Sequence, residues 1–419
     1  MRIDRLKDKI MNLLFLTIAE MPDLEENAMY PDLLRYFRDQ GHKVFVICPL
    51  EKRRGLSTQE KYEQGIRVLR VRTGNITKTG LLEKGFATLL VGLQFQRAFQ
   101  KYFRNIKFDL LLYTTPPISL TGIIRHIKKK NQAFTYLMLK DIFPQNALDI
   151  GILSRKGLKG LIFRYFRSLE KKLYRLSDGI GCMSEANVNY LIKHHPYLKK
   201  QRISVCPNTI NPAPDAGTDR KISRSRFGLA EDKLIFICGG NFGKPQGIDF
   251  ILEVLQRNEE KSDRHFVLCG AGTEYGRLLS YAGNKKHITV LAHLGREEYN
   301  SLLDSADVGL IFLDYRFTIP NFPSRILDYM NHSLPVLAAT DRNTDLGQKI
   351  RDNGFGWWCE SRDPQDYQHL LDSICAAPSA AEEMGRNSRR YLLEQYDTRS
   401  AYEAVMRAFH SKPEEGQKA

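Results

Sequence analysis

The sequence predicts an α/β protein built on two doubly wound parallel sheets. Three observations predict it. Short apolar runs alternate with helical patterns along nearly the whole chain, as strands joined by crossover helices do. Many of those runs are continuously apolar, as expected of strands covered on both faces. The length, 419 residues with 42% apolar and 26% charged side chains, suits two domains with real cores.

In the first half the expected strands are Asn12–Ala19, Lys43–Leu50, Ile66–Thr73, Phe108–Thr115, Ala133–Leu139, Gly179–Ser184 and Ile203–Pro207. In the second they are Leu234–Gly239, Phe266–Gly270, Ile288–Ala292, Val308–Leu313, Val336–Ala339 and Trp357–Glu360. Between the sets lies NTINPAPDAGTDRK, rich in Pro, Asp, Asn and Thr, which reads as a linker. A long helical region, Ser379–Phe409, is expected to bend near Tyr396–Thr398. The expected plan is a first domain over 11–207, a linker over 208–225, a second domain over 226–395, and a last helix over 396–412 returning to the first domain. Ligands of such sheets bind outside the carboxyl ends of the strands, so a two-ligand cleft between facing sheets is expected.

The seven cysteines are scattered, with no CxxC pair, which fits buried thiols in a reducing cytosol. No apolar run reaches the ~20 residues of a membrane span. Residues 1–10 read as a charged upstream stretch before a domain that begins at Met11. The net charge of +15 is uneven: +19 over residues 1–205 against −4 over the rest. The first half is therefore expected to face an anionic partner.

Three stretches carry chemistry. Gly239-Gly240-Asn241-Phe242-Gly243-Lys244-Pro245-Gln246-Gly247 joins a strand to a helix. Its glycines allow close approach of a phosphate, and Lys244 supplies a mobile cation. It matches neither a P-loop nor GxGxxG. Cys269-Gly270-Ala271-Gly272 is a second strand-end turn able to cradle a base or phosphate. Ile319–Asp341, IPNFPSRILDYMNHSLPVLAATD, sets a Pro-rich turn before a short helix, offers free N–H groups to an anion, and carries Asp328 one turn inside, with Arg325 as its expected surface neighbour. Each alone could be an ordinary turn or a solvated side chain; their order through one half of the chain suits a single nucleotide pocket.

LSDGIGCMSEANVNYL, GNFGKPQGIDFILEVL, VLCGAGTEYGRL, LLDSADVGLIFL and FPSRILDYMNHSLPVLAA resemble landmarks of the retaining glycosyltransferases of family 4, over residues ~11–410. KDIFPQNALDIG is similar to a subgroup that builds bacterial surface polysaccharides on lipid carriers. The resemblance implies the two-domain GT-B architecture and a nucleoside-diphosphate sugar donor. It places Asp328 on the ribose and Ser324 and the N–H groups from Phe322 to Arg325 on the diphosphate, with Lys244 as a further partner. Gly240, Asn241, Gly243, Gln246, Gly270 and Gly272 complete the expected donor surface. The family's other motif carboxylate, eight residues before Asp328, falls on Pro320; its Gly-loop Arg falls on Asn241 and its Lys on Gln246. The first strand is followed by AEMPDLEENAMYPDLL, without a Gly-Gly loop. Backbone N–H groups and Asn321 are therefore expected to hold the sugar, and a deoxy or N-acetylated sugar suits that change. Lys140-Asp141 stands where many relatives carry a His-Asp or Arg-Asp pair. A cation there could stabilise phosphate charge and the carboxylate orient a hydroxyl; a surface lysine and a helix cap are the plainer alternative.

Helix Leu158–Leu176 puts Leu158, Ile162, Tyr165, Leu169, Leu173 and Leu176 on one side and Arg164, Arg167, Lys171 and Arg175 on the other. The expectation is that the apolar side packs on the sheet and the basic side either faces water or, in addition, meets lipid headgroups. Uncharged Gly85–Gln96, with Phe86, Leu89, Leu90, Val91, Leu93 and Phe95, runs on into Phe99 and Phe103 beside Arg97, Lys101 and Arg104, which suits an interfacial surface; a fully buried helix explains the apolar part equally. No DxD occurs and the histidines are isolated, so neither a metal nor another cofactor is expected. The resulting expectation is a retaining glycosyltransferase, peripheral on the cytoplasmic face of the plasma membrane. It would move a sugar from a nucleoside diphosphate, UDP favoured, to a polyprenyl-diphosphate-linked acceptor in O-antigen or capsule synthesis, with no nucleic-acid partner. Alternatives are a nucleotide-sugar 2-epimerase on the same plan and a non-catalytic basic adaptor binding membrane or nucleic acid.

Overall fold

The computed structural model describes residues 10–76, 81–116, 118–214, 220–283 and 285–411. Side chains of residues 81–86, 88, 89 and 201 are outside that description. So are the upstream stretch 1–9, residues 215–219 of the expected linker, and residue 412. Phe86 and Leu89 of the expected interfacial helix therefore fall outside it.

The chain forms two compact units. One holds the residues up to Leu148, Leu153–Asn211 and the chain from Thr398 onward; the other holds Asp149–Ile152 and Pro212–Asp397.

The first unit is an eight-stranded sheet of β1 (Asn12–Leu16), β2 (Lys43–Glu51), β3 (Gln59–Glu63), β4 (Ile66–Thr73), β5 (Leu110–Thr115), β6 (Phe134–Leu139), β7 (Gly179–Cys182) and β8 (Ile203–Val205). Their spatial order is β3-β4-β2-β1-β5-β6-β7-β8, and every neighbouring pair except β3·β4 is parallel. The run of β5, LLLYTT, is buried at every position, its two threonines included, because helices cover both faces. β3 was not expected, since QEKYE has no apolar alternation to bury. Cross-strand charge pairs hold it instead: Arg70 donates to Glu63 at 2.7 Å and Arg67 to Glu60 at 2.8 Å. A charged edge strand also discourages pairing with other chains. Helix Thr398–His410 closes this core, with Ala401, Tyr402, Val405 and Met406 buried among Leu13, Phe15, Phe37 and Val46. The helical run is interrupted at Tyr396–Asp397, between it and helix Pro378–Gln395, at the bend the sequence predicts.

The second unit is a six-stranded parallel sheet of β9 (Leu234–Asn241), β10 (Arg264–Ala271), β11 (Ile288–Ala292), β12 (Val308–Phe312), β13 (Val336–Thr340) and β14 (Gly356–Glu360), ordered β11-β10-β9-β12-β13-β14. That is the doubly wound order, and its topological switch point lies between β9 and β12. The polar stretch before β9 ends in a helix, Arg220–Arg226, pinned by a buried pair: Arg224 donates to Asp307 at 2.5 Å, and the same carboxylate oxygen accepts the Ile235 N–H at 2.7 Å.

Candidate active site at the switch point of the second sheet

β9 and β12 are paired over Phe236↔Val308 and Ile237↔Gly309 and then separate. A tyrosine wedges the gap. The Tyr329 hydroxyl accepts the Gly239 N–H at 3.0 Å and donates to the Leu310 carbonyl at 3.1 Å, replacing the next ladder bonds. Its ring needs the glycine opposite, for a Cβ on Gly309 would lie 2.4 Å from it. Tyr299 fills the space beside Gly239 in the same way, 1.9 Å from where a Cβ would be. The opening where a ligand is expected is thus built into the sheet by side chains that sequence reading passed over.

The next residue, Gly240, is exposed, has φ +113° and faces the Arg325 guanidinium; a Cβ there would stand 3.4 Å from Arg325 Cζ. Arg325 Nη1 also lies 3.6 Å from Cys238 Sγ. So Arg325 turns to the Gly-rich loop and is not the partner of Asp328, contrary to the surface pairing expected from their spacing. The partner of Asp328 is Arg296, whose Nη2 donates to Oδ1 at 2.7 Å from the start of helix Arg296–Asp304. Both side chains keep partial access to solvent, 27% for Arg296 and 20% for Asp328. Asp328 Oδ2 has no hydrogen-bond partner among the described residues. No local signal marked Arg296: it lies 32 positions upstream, and only the crossover from β11 to β12 brings it there.

Ser324 stands at the cap of helix Arg325–Asn331, and among the described residues its hydroxyl makes no capping hydrogen bond. Among the described residues the N–H groups of Ser324 and Arg325 donate to no backbone carbonyl. The helix has only seven residues, so these free donors matter more than its dipole. The Phe322 ring is buried against Tyr396, so its side chain belongs to the core. Asn321 accepts Thr344 Oγ1 at its carbonyl, at 2.6 Å, and its Nδ2 is buried without a partner.

Gly270 and Gly272 are needed for packing. Cβ atoms there would fall 1.8 Å from the Gly240 carbonyl oxygen and 2.2 Å from that of Phe242. The two strand-end turns are joined by Phe242 N–H to Ala271 O at 2.7 Å and Glu274 N–H to Phe242 O at 3.0 Å. Gln246 folds back to accept the Gly243 N–H at 3.0 Å. Asn241 and Lys244 are exposed. Lys244 lines a cleft of about 470 Å³ with Asp249, Arg277, Asp314, Arg316 and Arg362, and none of Asn321, Ser324, Arg325 and Asp328 lines it. The structure thus groups Gly240, Ser324, Arg325 and Asp328 at the switch point and sets Lys244 in a neighbouring cleft.

In the first unit Lys140 and Asp141 follow β6 but do not form a pair. Lys140 Nζ donates to the Pro207 carbonyl at 3.2 Å, and burial lowers its pKa. Asp141 accepts from Asn146 Nδ2 at 2.8 and 2.7 Å, and burial pushes its pKa up to about 6.

The expected lipid-facing helix, Gly157–Leu176, is arranged differently from its pattern. Of its predicted apolar side only Leu173 is buried, while Leu158, Ile162 and Tyr165 are exposed. The core side is instead Glu170, Leu173 and Tyr174. Of the predicted basic side, Arg167 pairs with the buried Glu170 at 2.7 Å, and Lys171 and Arg175 lie over the Tyr197 ring at 5.1 and 4.9 Å; Arg164 is exposed. Phe95, Phe99 and Phe103 are fully buried, so they belong to the core and not to an interface; Arg97, Lys101 and Arg104 remain exposed. Among the described residues, no group of three or more His, Cys, Asp or Glu is placed to hold a metal ion, and no helix is long and apolar enough to cross a membrane.

A two-sheet α/β chain with a nucleotide-type opening at a switch point is the plan of a GT-B enzyme. The chain belongs to the glycosyltransferases: residues 31–213 match the model described as Glycosyltransferase Family 4, and residues 219–391 that described as Glycosyl transferases group 1. It is 24% identical over 304 residues to the probable glycosyltransferase WbjE of Pseudomonas aeruginosa, covering 71% of this chain and 73% of that one. It is 22% identical over 251 residues to the putative colanic acid biosynthesis glycosyl transferase WcaI of Escherichia coli, covering 58% of this chain and 60% of that one. Among solved structures it is similar to a sucrose-phosphate synthase from Thermosynechococcus elongatus, with TM-score 0.74, 13% identity and 96% and 98% of the two chains covered. Anabaena HepE in complex with UDP-glucose gives a TM-score of 0.67 at 14% identity, covering 96% of this chain and 100% of that one.

Proposed function

We propose that this glycosyltransferase is a retaining enzyme of bacterial surface polysaccharide synthesis, such as O-antigen or capsule. Its donor is a nucleoside-diphosphate sugar, UDP-linked, and its acceptor a polyprenyl-diphosphate-linked saccharide met at an anionic membrane surface. The observation that carries the donor reading is the set of groups within one helical turn of the switch point. The unpartnered Oδ2 of Asp328 can accept ribose hydroxyls, while the N–H groups of Ser324 and Arg325 and the Arg325 guanidinium can donate to a diphosphate. Stabilising the leaving diphosphate there would carry much of the rate. HepE, captured with UDP-glucose, and WcaI, named for colanic acid biosynthesis, support the donor and the product class.

In the first unit Asp141, held by Asn146 and half protonated near pH 6, can orient the acceptor hydroxyl. The charge of +19 over residues 1–205 complements an anionic, lipidic acceptor. The test is thermal-shift screening against UDP, GDP and ADP and their sugars. UDP and a UDP-sugar should raise the melting temperature, because a ligand of the native state must stabilise it. A panel silent throughout would sink the donor reading.

A further inference from the structure

Isolated exposed leucines are ordinary, but a contiguous exposed apolar face marks a contact surface. Helix Gly157–Leu176 shows Leu158, Leu161, Ile162 and Tyr165 at exposures of 75%, 55%, 39% and 52%, in the i, i+3, i+4, i+7 spacing of one helical stripe. Helix Leu81–Tyr102 shows Leu90 and Leu93 at 50% and 57%. The two helices flank one buttress, the turn Ile118–Leu120, against which both pack. Leu90 and Leu93 bracket Gly92, whose Cβ would stand 2.8 Å from the Ser119 carbonyl oxygen.

Topology orients the patch. One helix leads from β4 to β5 and the other from β6 to β7, all parallel strands of one sheet, so both helices start at the rim where the strands end. Lys140 and Asp141 follow β6 directly and lie on that rim. The exposed apolar residues sit in the first half of helix Gly157–Leu176 and partway along helix Leu81–Tyr102; the exposed basic residues Arg97, Lys101, Lys172 and Arg175 follow further from the rim.

Charge decides what covers the patch. Residues 150–169 contain Arg155, Lys156, Lys159, Arg164 and Arg167 and no acidic side chain. Apart from Arg167, these are exposed and have no carboxylate partner among the described residues. Apolar side chains ringed by unpaired cations fit the boundary between acyl chains and anionic headgroups; a second copy of this basic face would be repelled.

We propose that the first half of helix Gly157–Leu176, with Leu90 and Leu93 of the helix that packs on the same turn, inserts into an anionic bilayer and brings the rim carrying Lys140 and Asp141 to the membrane surface. This rests on the lipid-linked-acceptor reading above and deepens it: the inserting residues are the apolar stripe, with the cations around it, and not the basic side the sequence pattern suggested.

The test is sedimentation of the full chain with vesicles of phosphatidylcholine alone or mixed with phosphatidylglycerol. Binding is expected to the mixed vesicles and to weaken with salt. Leu158→Glu with Ile162→Glu should lower partitioning by at least about tenfold. Arg155→Gln with Lys156→Gln should lower it about thirtyfold, from the attraction each basic residue contributes. A Leu158→Glu/Ile162→Glu chain that partitions like the wild type overturns the proposal. So does a wild type that ignores the mixed vesicles, or one that forms a concentration-dependent dimer which those substitutions disperse. The UDP-induced thermal shift separates this from the donor reading. Variants that keep the shift but lose vesicle binding support the surface assigned here; a wild type that binds vesicles but shows no shift removes the donor reading and leaves this surface standing.

Discussion

Replacing Asp328 with alanine separates what this carboxylate does for stability from what it does for the donor. Its ion pair with Arg296 is short, 2.7 Å, but the two side chains are 20% and 27% exposed. At an effective dielectric near 20, charge centres about 4 Å apart attract by about 4 kcal/mol. Water screening and side-chain ordering reduce the net to about 1 kcal/mol, the upper range for pairs with solvent access. In a domain of this size that lowers the melting temperature by about 2–4 °C. A hydrogen bond from ribose to an ionised carboxylate contributes about 1.5–3 kcal/mol, so losing it should raise the UDP Kd and the donor KM by about 10- to 150-fold. The effect on kcat should be smaller, because the ribose contact is made in ground and transition states alike. Arg296→Met leaves the carboxylate but frees its orientation, and should raise KM several-fold. Calorimetric titration of UDP into both variants, beside donor kinetics, reads these numbers. A folded Asp328→Ala chain that binds UDP within about twofold of the wild type would refute the assignment.

Other outcomes follow from the same geometry. The Asp141 carboxyl titrates near 6 in the fold and near its ordinary 3.8 when unfolded, so the native state holds the extra proton between those values. Its contribution to stability is full below about pH 4 and is lost as pH rises through about 6. Asp141→Asn should flatten melting temperature against pH over that window and raise it at pH 7 while lowering transfer; an unchanged profile would count against the burial argument. Gly272→Ala should destabilise strongly, since its Cβ would meet the Phe242 carbonyl at 2.2 Å. Gly276→Ala, on an exposed helix with nothing within 4 Å, should stabilise by about 0.5–1 kcal/mol, and denaturant unfolding compares the two. Arg224→Met should cost about 3–5 kcal/mol, because it leaves Asp307, 9% exposed, without its buried guanidinium; Arg220, half exposed at 2.9 Å, offsets part of that.

The alternation of strand and helix was legible because many buried strands advertise themselves in a continuous apolar run, as in Leu110–Tyr113. The turn before Asp328 was legible because Pro, Ser and a carboxylate lie within a few residues of one another. β3 was not, because its stability comes from arginines on β4 and not from its own residues. Helix Gly157–Leu176 misled for a related reason. Its pattern shows which residues could share an apolar face, but the neighbours that decide which face is covered come from Ile118–Leu120 and from helix Thr121–Asn131.

By itself, then, the sequence determined the α/β class, the strand-end turns of the second half and the cationic bias of the first, because local periodicity, turn chemistry and charge are written within a few residues. Tertiary structure decided which groups meet. It set Arg296 and not Arg325 on Asp328, filled the space between β9 and β12 with Tyr329, gave Gly270 and Gly272 to packing, and left Leu158 and Ile162 uncovered. Each of those depends on strand order and on distances between residues far apart in the chain, which no window of neighbouring side chains contains.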